Sequence, residues 1–119
     1  MDYNQKILTV AELEAYLDDA RKLLSEDERF EVIDYLSKRP KAGVLITGTS
    51  GIRKLRWGRA DKGKSGGVLV VYYFHSEVMP LYLITIFGKG DKENLTKEER
   101  NSLAEMTRHL TSIWLKRQK

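Results

Sequence analysis

Apolar residues recur at helical spacing along the first third of the chain. Leu13, Tyr16, Leu17, Ala20 and Leu24 follow one another at steps of three and four, which predicts an amphipathic helix. Thr9, with Glu12 three residues on, fits a capping box at its start. Ser25 and Glu28 make a second such pair just ahead of Phe30, Ile33 and Leu36, predicting another helix that ends before Pro40. Residues 7–10 read as a short edge strand preceding both helices.

After Pro40 the period changes. Gly43, Gly48 and Gly51 punctuate short apolar pieces, including residues 44–46. Residues 52–57 read as a strand, and Gly63, Gly66 and Gly67 as a loop. Residues 68–74 and 81–87 are strongly strand-forming runs joined by a hairpin-like turn, HSEVMP. Both long runs are apolar on both faces, which predicts central strands covered by helices on at least one side. Thr96 and Glu99 form a third capping box. It opens a helix whose apolar stripe is Leu103, Met106, Leu110, Ile113 and Trp114. The basic tail, residues 116–119, suits a helix C-terminus. The pattern predicts an α+β layer fold, one domain over residues 1–119.

Composition narrows the chemistry. The chain has 119 residues, 41% hydrophobic and 32% charged, a globular balance. It has no cysteine, which rules out disulfides, thiolate metal ligands and a thiol nucleophile. With only His75 and His109 available, a zinc site is not expected, nor any other metal or cofactor. No apolar run has the length of a membrane span, and the opening residues lack a signal-peptide pattern, so a cytoplasmic location away from membranes is expected. The phosphate-loop pattern and GxGxxG before a helix are both absent.

The net charge of +4 says little until its placement is considered. Between Arg53 and Lys64 lie six basic residues (Arg53, Lys54, Arg56, Arg59, Lys62 and Lys64) and one acid, Asp61. Strand alternation puts Lys54 and Arg56 on one face, and Arg53, Leu55 and Trp57 on the other. Such a patch suits a phosphate backbone, and the glycines around Lys62 and Lys64 allow close approach to a polyanion. A basic edge strand can also be a solvated surface that resists edge pairing. Nearby Tyr72, Tyr73 and Phe87 favour nucleic acid, since aromatics beside arginines stack exposed bases. Neighbours on a strand point oppositely, so one of the two tyrosines is expected in the core. The second predicted helix carries Glu26, Asp27, Glu28, Glu31 and Asp34, too acidic to read DNA. His75 reads as a turn residue and His109 as a packing or surface residue.

Four ordered segments carry a resemblance over about the whole chain: GIRKLRW (residues 51–57), GKSGG (63–67), VVYYF (70–74) and YLITIFGKGDKENLT (82–96). Together they resemble the RelE/HigB family of toxins from bacterial toxin–antitoxin pairs. The resemblance implies a RelE/ParE-like fold, with two N-terminal helices packed on a small, mostly antiparallel curved sheet and a C-terminal helix. It implies a ribosome-dependent, metal-free endoribonuclease that cuts messenger RNA by attack of the 2′-hydroxyl on the adjacent phosphate, inhibiting translation. The implied partners are the 70S ribosome with its messenger RNA and a cognate antitoxin, often a helix-turn-helix protein, with DNA reached only through the antitoxin complex.

By family position Lys54, Arg56 and Lys89 are the implied catalytic residues, and Arg53, Arg59, Lys62, Lys64 and Tyr73 the implied RNA- or ribosome-binding ones. Lysine and arginine can stabilise a phosphorane electrostatically, and a lysine with a lowered pKa can act as base. Family members carry an arginine between the paired glycines and the tyrosine strand. Leu69 holds that position here, and leucine cannot stabilise a phosphorane. The same resemblance therefore also accommodates a weak or inactive member that binds ribosome, RNA or antitoxin without cutting.

Overall fold

A computed structural model describes residues 8–59, 63–88 and 95–117, without the side chains of residue 59 and residues 63–66. The element order is β1 (Val10–Glu12), α1 (Glu14–Leu23), α2 (Glu26–Lys38), β2 (Val44–Leu45), β3 (Ile52–Arg59), β4 (Gly63–Tyr73), β5 (Leu81–Gly88) and α3 (Lys97–Arg117). The fold is a small α+β arrangement around one five-stranded mixed sheet, ordered β1-β5-β4-β3-β2. Strands β2 to β5 pair antiparallel, while β1 lies parallel to β5 at the outer edge.

The first expected elements shift along the chain. The edge strand falls at residues 10–12, with Leu8 and Thr9 ahead of it and residue 7 outside the described residues, because the Thr9 carbonyl accepts from the Leu81 amide and draws the following residues into the sheet. Thr9 therefore caps nothing. Helix α1 starts from Leu13, whose side chain makes no cap and whose amide donates to the Leu83 carbonyl. The other two capping boxes form as predicted. The Ser25 hydroxyl accepts from the Glu28 amide at 3.1 Å while the Glu28 carboxylate takes the Ser25 amide, and Thr96 and Glu99 repeat the arrangement.

The sheet is buried on both sides. On one face Tyr16 and Ala20 of α1 and Val32 and Leu36 of α2 pack against Val68, Val70, Tyr72, Leu81, Leu83 and Ile86. On the other, Leu103, Leu110 and Trp114 of α3 share a core with Ile52, Val71, Tyr73, Met79 and Ile84. Strand β5 serves both cores through a bulge. Val71 pairs with Thr85 but Tyr72 pairs with Leu83, leaving Ile84 as the extra residue. The alternation changes phase there, so that Leu83 and Ile86 reach the same core.

Several expectations about faces change. Phe30 is exposed under the Arg29 guanidinium, and Val32 takes the core position instead. In α3 the buried side chains are Leu103, Ala104 and Thr107, while Met106 and Ile113 face solvent. Gly63, Gly66 and Gly67 belong to β4 and not to a loop. Gly67 is needed by packing, since a Cβ there would stand 2.9 Å from the Trp57 carbonyl oxygen on the neighbouring strand. Among the described residues no helix is long and apolar enough to cross a membrane.

Candidate nucleic-acid interface

The three long strands, β3 to β5, contain five basic residues and not one Asp or Glu. The acids sit elsewhere, many of them on α1 and α2. On β3, alternation places Lys54 and Arg56 with Ile52 on the α3 side of the sheet, and Arg53, Leu55 and Trp57 on the α1–α2 side. Lys54 and Arg56 are two residues apart, a spacing of about 7 Å along a strand. Register sets them in two cross-strand rows: Val44, Lys54, Val71 and Thr85, then Arg56, Leu69 and Phe87. Arg56 is exposed and Lys54 half-buried. Leu69 is only 6% exposed, an apolar wall directly across from Arg56.

Arg53 does not join this pair. Its guanidinium donates from one nitrogen to the Gly43 carbonyl at 2.7 Å and to the Lys41 carbonyl at 3.2 Å. Tyr72, its cross-strand neighbour, donates its hydroxyl to the Pro40 carbonyl and accepts from the Gly43 amide, each at 2.8 Å. The two side chains thus hold the α2–β2 connection against the sheet. Burial pushes the Tyr72 phenol up, against the opposing pull of the Gly43 amide and the Arg53 charge. Arg53, expected to contact RNA, thus braces this connection from the face of β3 opposite to Lys54 and Arg56. Alternation had already separated it from Lys54.

Tyr73, another expected contact, sits in the core. Its ring is 2% exposed, and its hydroxyl is 2.6 Å from the Thr111 hydroxyl of α3, so it presents no face on which a base could stack. Both tyrosines are core, one on each side of the sheet. Arg59 ends β3, paired with Gly63 across an irregularity in register, and Lys64 lies in β4. Lys62 and Lys89 lie outside the described residues. His75 is exposed at the end of β4, its ring 6.3 Å from that of Tyr73, and His109 is exposed on α3. Among the described residues, no three His, Asp or Glu side chains gather in a way that would hold a metal ion. No model of a known protein family matches the chain.

Proposed function

We propose that this chain binds RNA on the α3 side of β3 and β4, and that it is a RelE/HigB-like, RelE/ParE-fold toxin cutting messenger RNA on the ribosome. The observation carrying this reading is three long strands, β3 to β5, without an acid, with Lys54 and Arg56 side by side on one face. Two basic residues spaced about 7 Å apart along the strand suit successive charges of a single-stranded RNA. In the proposed reaction the 2′-hydroxyl attacks the adjacent phosphorus and the P–O5′ bond breaks, leaving a cyclic phosphate and a 5′-hydroxyl. Arg56 and Lys54 stabilise the charge that grows on the phosphorane. Lys89 is a third cation of the same site by resemblance. A cognate antitoxin is the proposed protein partner.

The test is 5′-end mapping of a message incubated with the purified chain in a translating extract. Cut ends bearing 5′-hydroxyl groups are expected, with Arg56→Ala lowering the rate on the order of 100-fold. Intact message in the presence of folded protein would overturn the cleavage reading. A second reading, binding without cutting, is favoured by Leu69, an uncharged wall where the resemblance calls for arginine. It predicts ribosome association with no cut ends, and Leu69→Arg would then be expected to introduce cleavage. Replacing Lys54 and Arg56 together should weaken RNA binding and lower its salt slope by about 1.4, the value for two single-strand phosphates. An unchanged slope would remove Lys54 and Arg56 from the interface.

A further inference from the structure

Three surfaces outside the β3 patch invite a function. A cleft near Leu8, Pro40 and Trp114 has a mixed lining with Lys38 already paired to Asp34, so it defines no ligand chemistry. The exposed Val44 and Leu45 lie on a two-residue edge strand, and nothing nearby selects a partner. The third surface is chemically specific.

It is an open cleft of about 530 Å³ between the turn before β3, the end of β4 and the C-terminal half of α3. That volume lies within the range of small-ligand sites. Its floor is mainly apolar, lined by Leu115, Tyr73 and the methyl-bearing side chains of Thr107 and Thr111. Leu115 is 54% exposed, so its side chain is open to a ligand. Arg108, Lys116 and His75 also line the cleft, and no acid does. Neither Arg108 nor Lys116 has an acidic partner among the described residues. Ser50 and Ser112 add two hydroxyls. Ser50 holds a left-handed φ of 60°, a conformation costly for a residue with a Cβ. From residue 106 to residue 119 the chain carries no Asp or Glu, and Lys116 and Arg117 offset the negative end of the helix.

We propose that this cleft binds a nucleotide. The base covers Leu115 and the Thr111 methyl group, the phosphate meets Arg108 and Lys116, and Ser50 and Ser112 serve the sugar hydroxyls. Apolar floor, hydroxyls and acid-free cationic rim together fit a phosphate ester with a flat body. The nucleotide is either free or one unit of an RNA strand. In the second case the inference deepens the reading given above, adding a contact separate from Lys54 and Arg56.

The test is amide NMR titration of the full chain with adenosine 5′-monophosphate, and in a second arm with a short 5′-phosphorylated oligoribonucleotide. Saturable shifts at Ser50, His75 and Ser112 are expected in at least one arm. The first arm alone identifies a free nucleotide, and the second alone an RNA unit. Arg108→Gln with Lys116→Gln, both on exposed positions, should weaken that binding at least tenfold while leaving the fold intact by circular dichroism. Lys54→Gln should leave shifts of the mononucleotide at this cleft unchanged, so the cleft and the β3 reading can fail separately. No saturable shift in either arm overturns the proposal. So does equal binding of inorganic phosphate or of an acidic peptide, or binding indifferent to the double variant.

Discussion

Tyr16 and Tyr72 are both fully buried in the core under α1 and α2, yet only one has its hydroxyl satisfied. Tyr72 both donates and accepts, whereas the Tyr16 hydroxyl finds no partner among the described residues. Tyr16→Phe should therefore stabilise the fold by about 1 kcal/mol, since an unpaired buried hydroxyl costs desolvation with no return. Tyr72→Phe should destabilise it by about 1–3 kcal/mol, because the Gly43 amide and Pro40 carbonyl lose their partner. Urea denaturation of the two variants checks both signs. Burial raises both phenols, and for Tyr16 the Glu12 carboxylate adds to the rise while Arg29 opposes it. A raised folded-state value means the unfolded chain loses its proton first. Stability is then complete below the ordinary value near 10 and falls as pH rises beyond it. Tyr16→Phe should flatten that alkaline loss, measured as denaturation midpoint against pH. Gly43 has its own constraint: a Cβ would stand 2.8 Å from the Lys54 carbonyl and the Tyr72 ring. Gly43→Ala should cost about 1–3 kcal/mol by overpacking. At this scale the sequence could not distinguish an arginine that meets solvent from one that braces a loop. The acceptors of Arg53 are backbone carbonyls ten and twelve residues away, which no side-chain pattern announces.

Elements were legible where their signals are local. Ser25 with Glu28 and Thr96 with Glu99 sit within one turn, and both boxes form. Ser25→Ala should cost about 1 kcal/mol in the same denaturation assay. Thr9 and Glu12 have the same spacing and fail, because β5 claims the backbone between them. The start of α1 is thus decided by a strand some seventy residues later. Helix α3 shows another limit. Size and spacing favoured Met106 and Ile113, but the helix docks through smaller groups. Ala104 and Thr107 are buried, and the Thr107 hydroxyl reaches the carbonyls of Ala104 and Thr49. A helix that approaches a sheet closely selects short side chains, which a stripe of large apolar residues does not mark.

Across the whole molecule, the centre of the sheet is much better buried than the end of the last helix. Val70 and Val71 are wholly buried, whereas Ser112, Ile113 and Leu115 to Arg117 are exposed. Native-state hydrogen exchange should find the β4 amides among the slowest and those of the last turn of α3 among the fastest. Comparable protection in both would show the helix end to be held more firmly than its burial indicates. The basic strand was legible because charge and alternation are properties of the sequence itself. Its setting was not, since the Arg56–Leu69–Phe87 row exists only once three strands are in register. The parallel edge strand β1 has a consequence for synthesis. Its whole ladder is to residues 81–83, and α1 packs on that same strand. A chain emerging amino end first has therefore made its first strand and first helix long before it has made their seat. Until β5 is complete those segments carry exposed apolar faces, so truncation before Gly88 should yield an aggregating product rather than a smaller folded one.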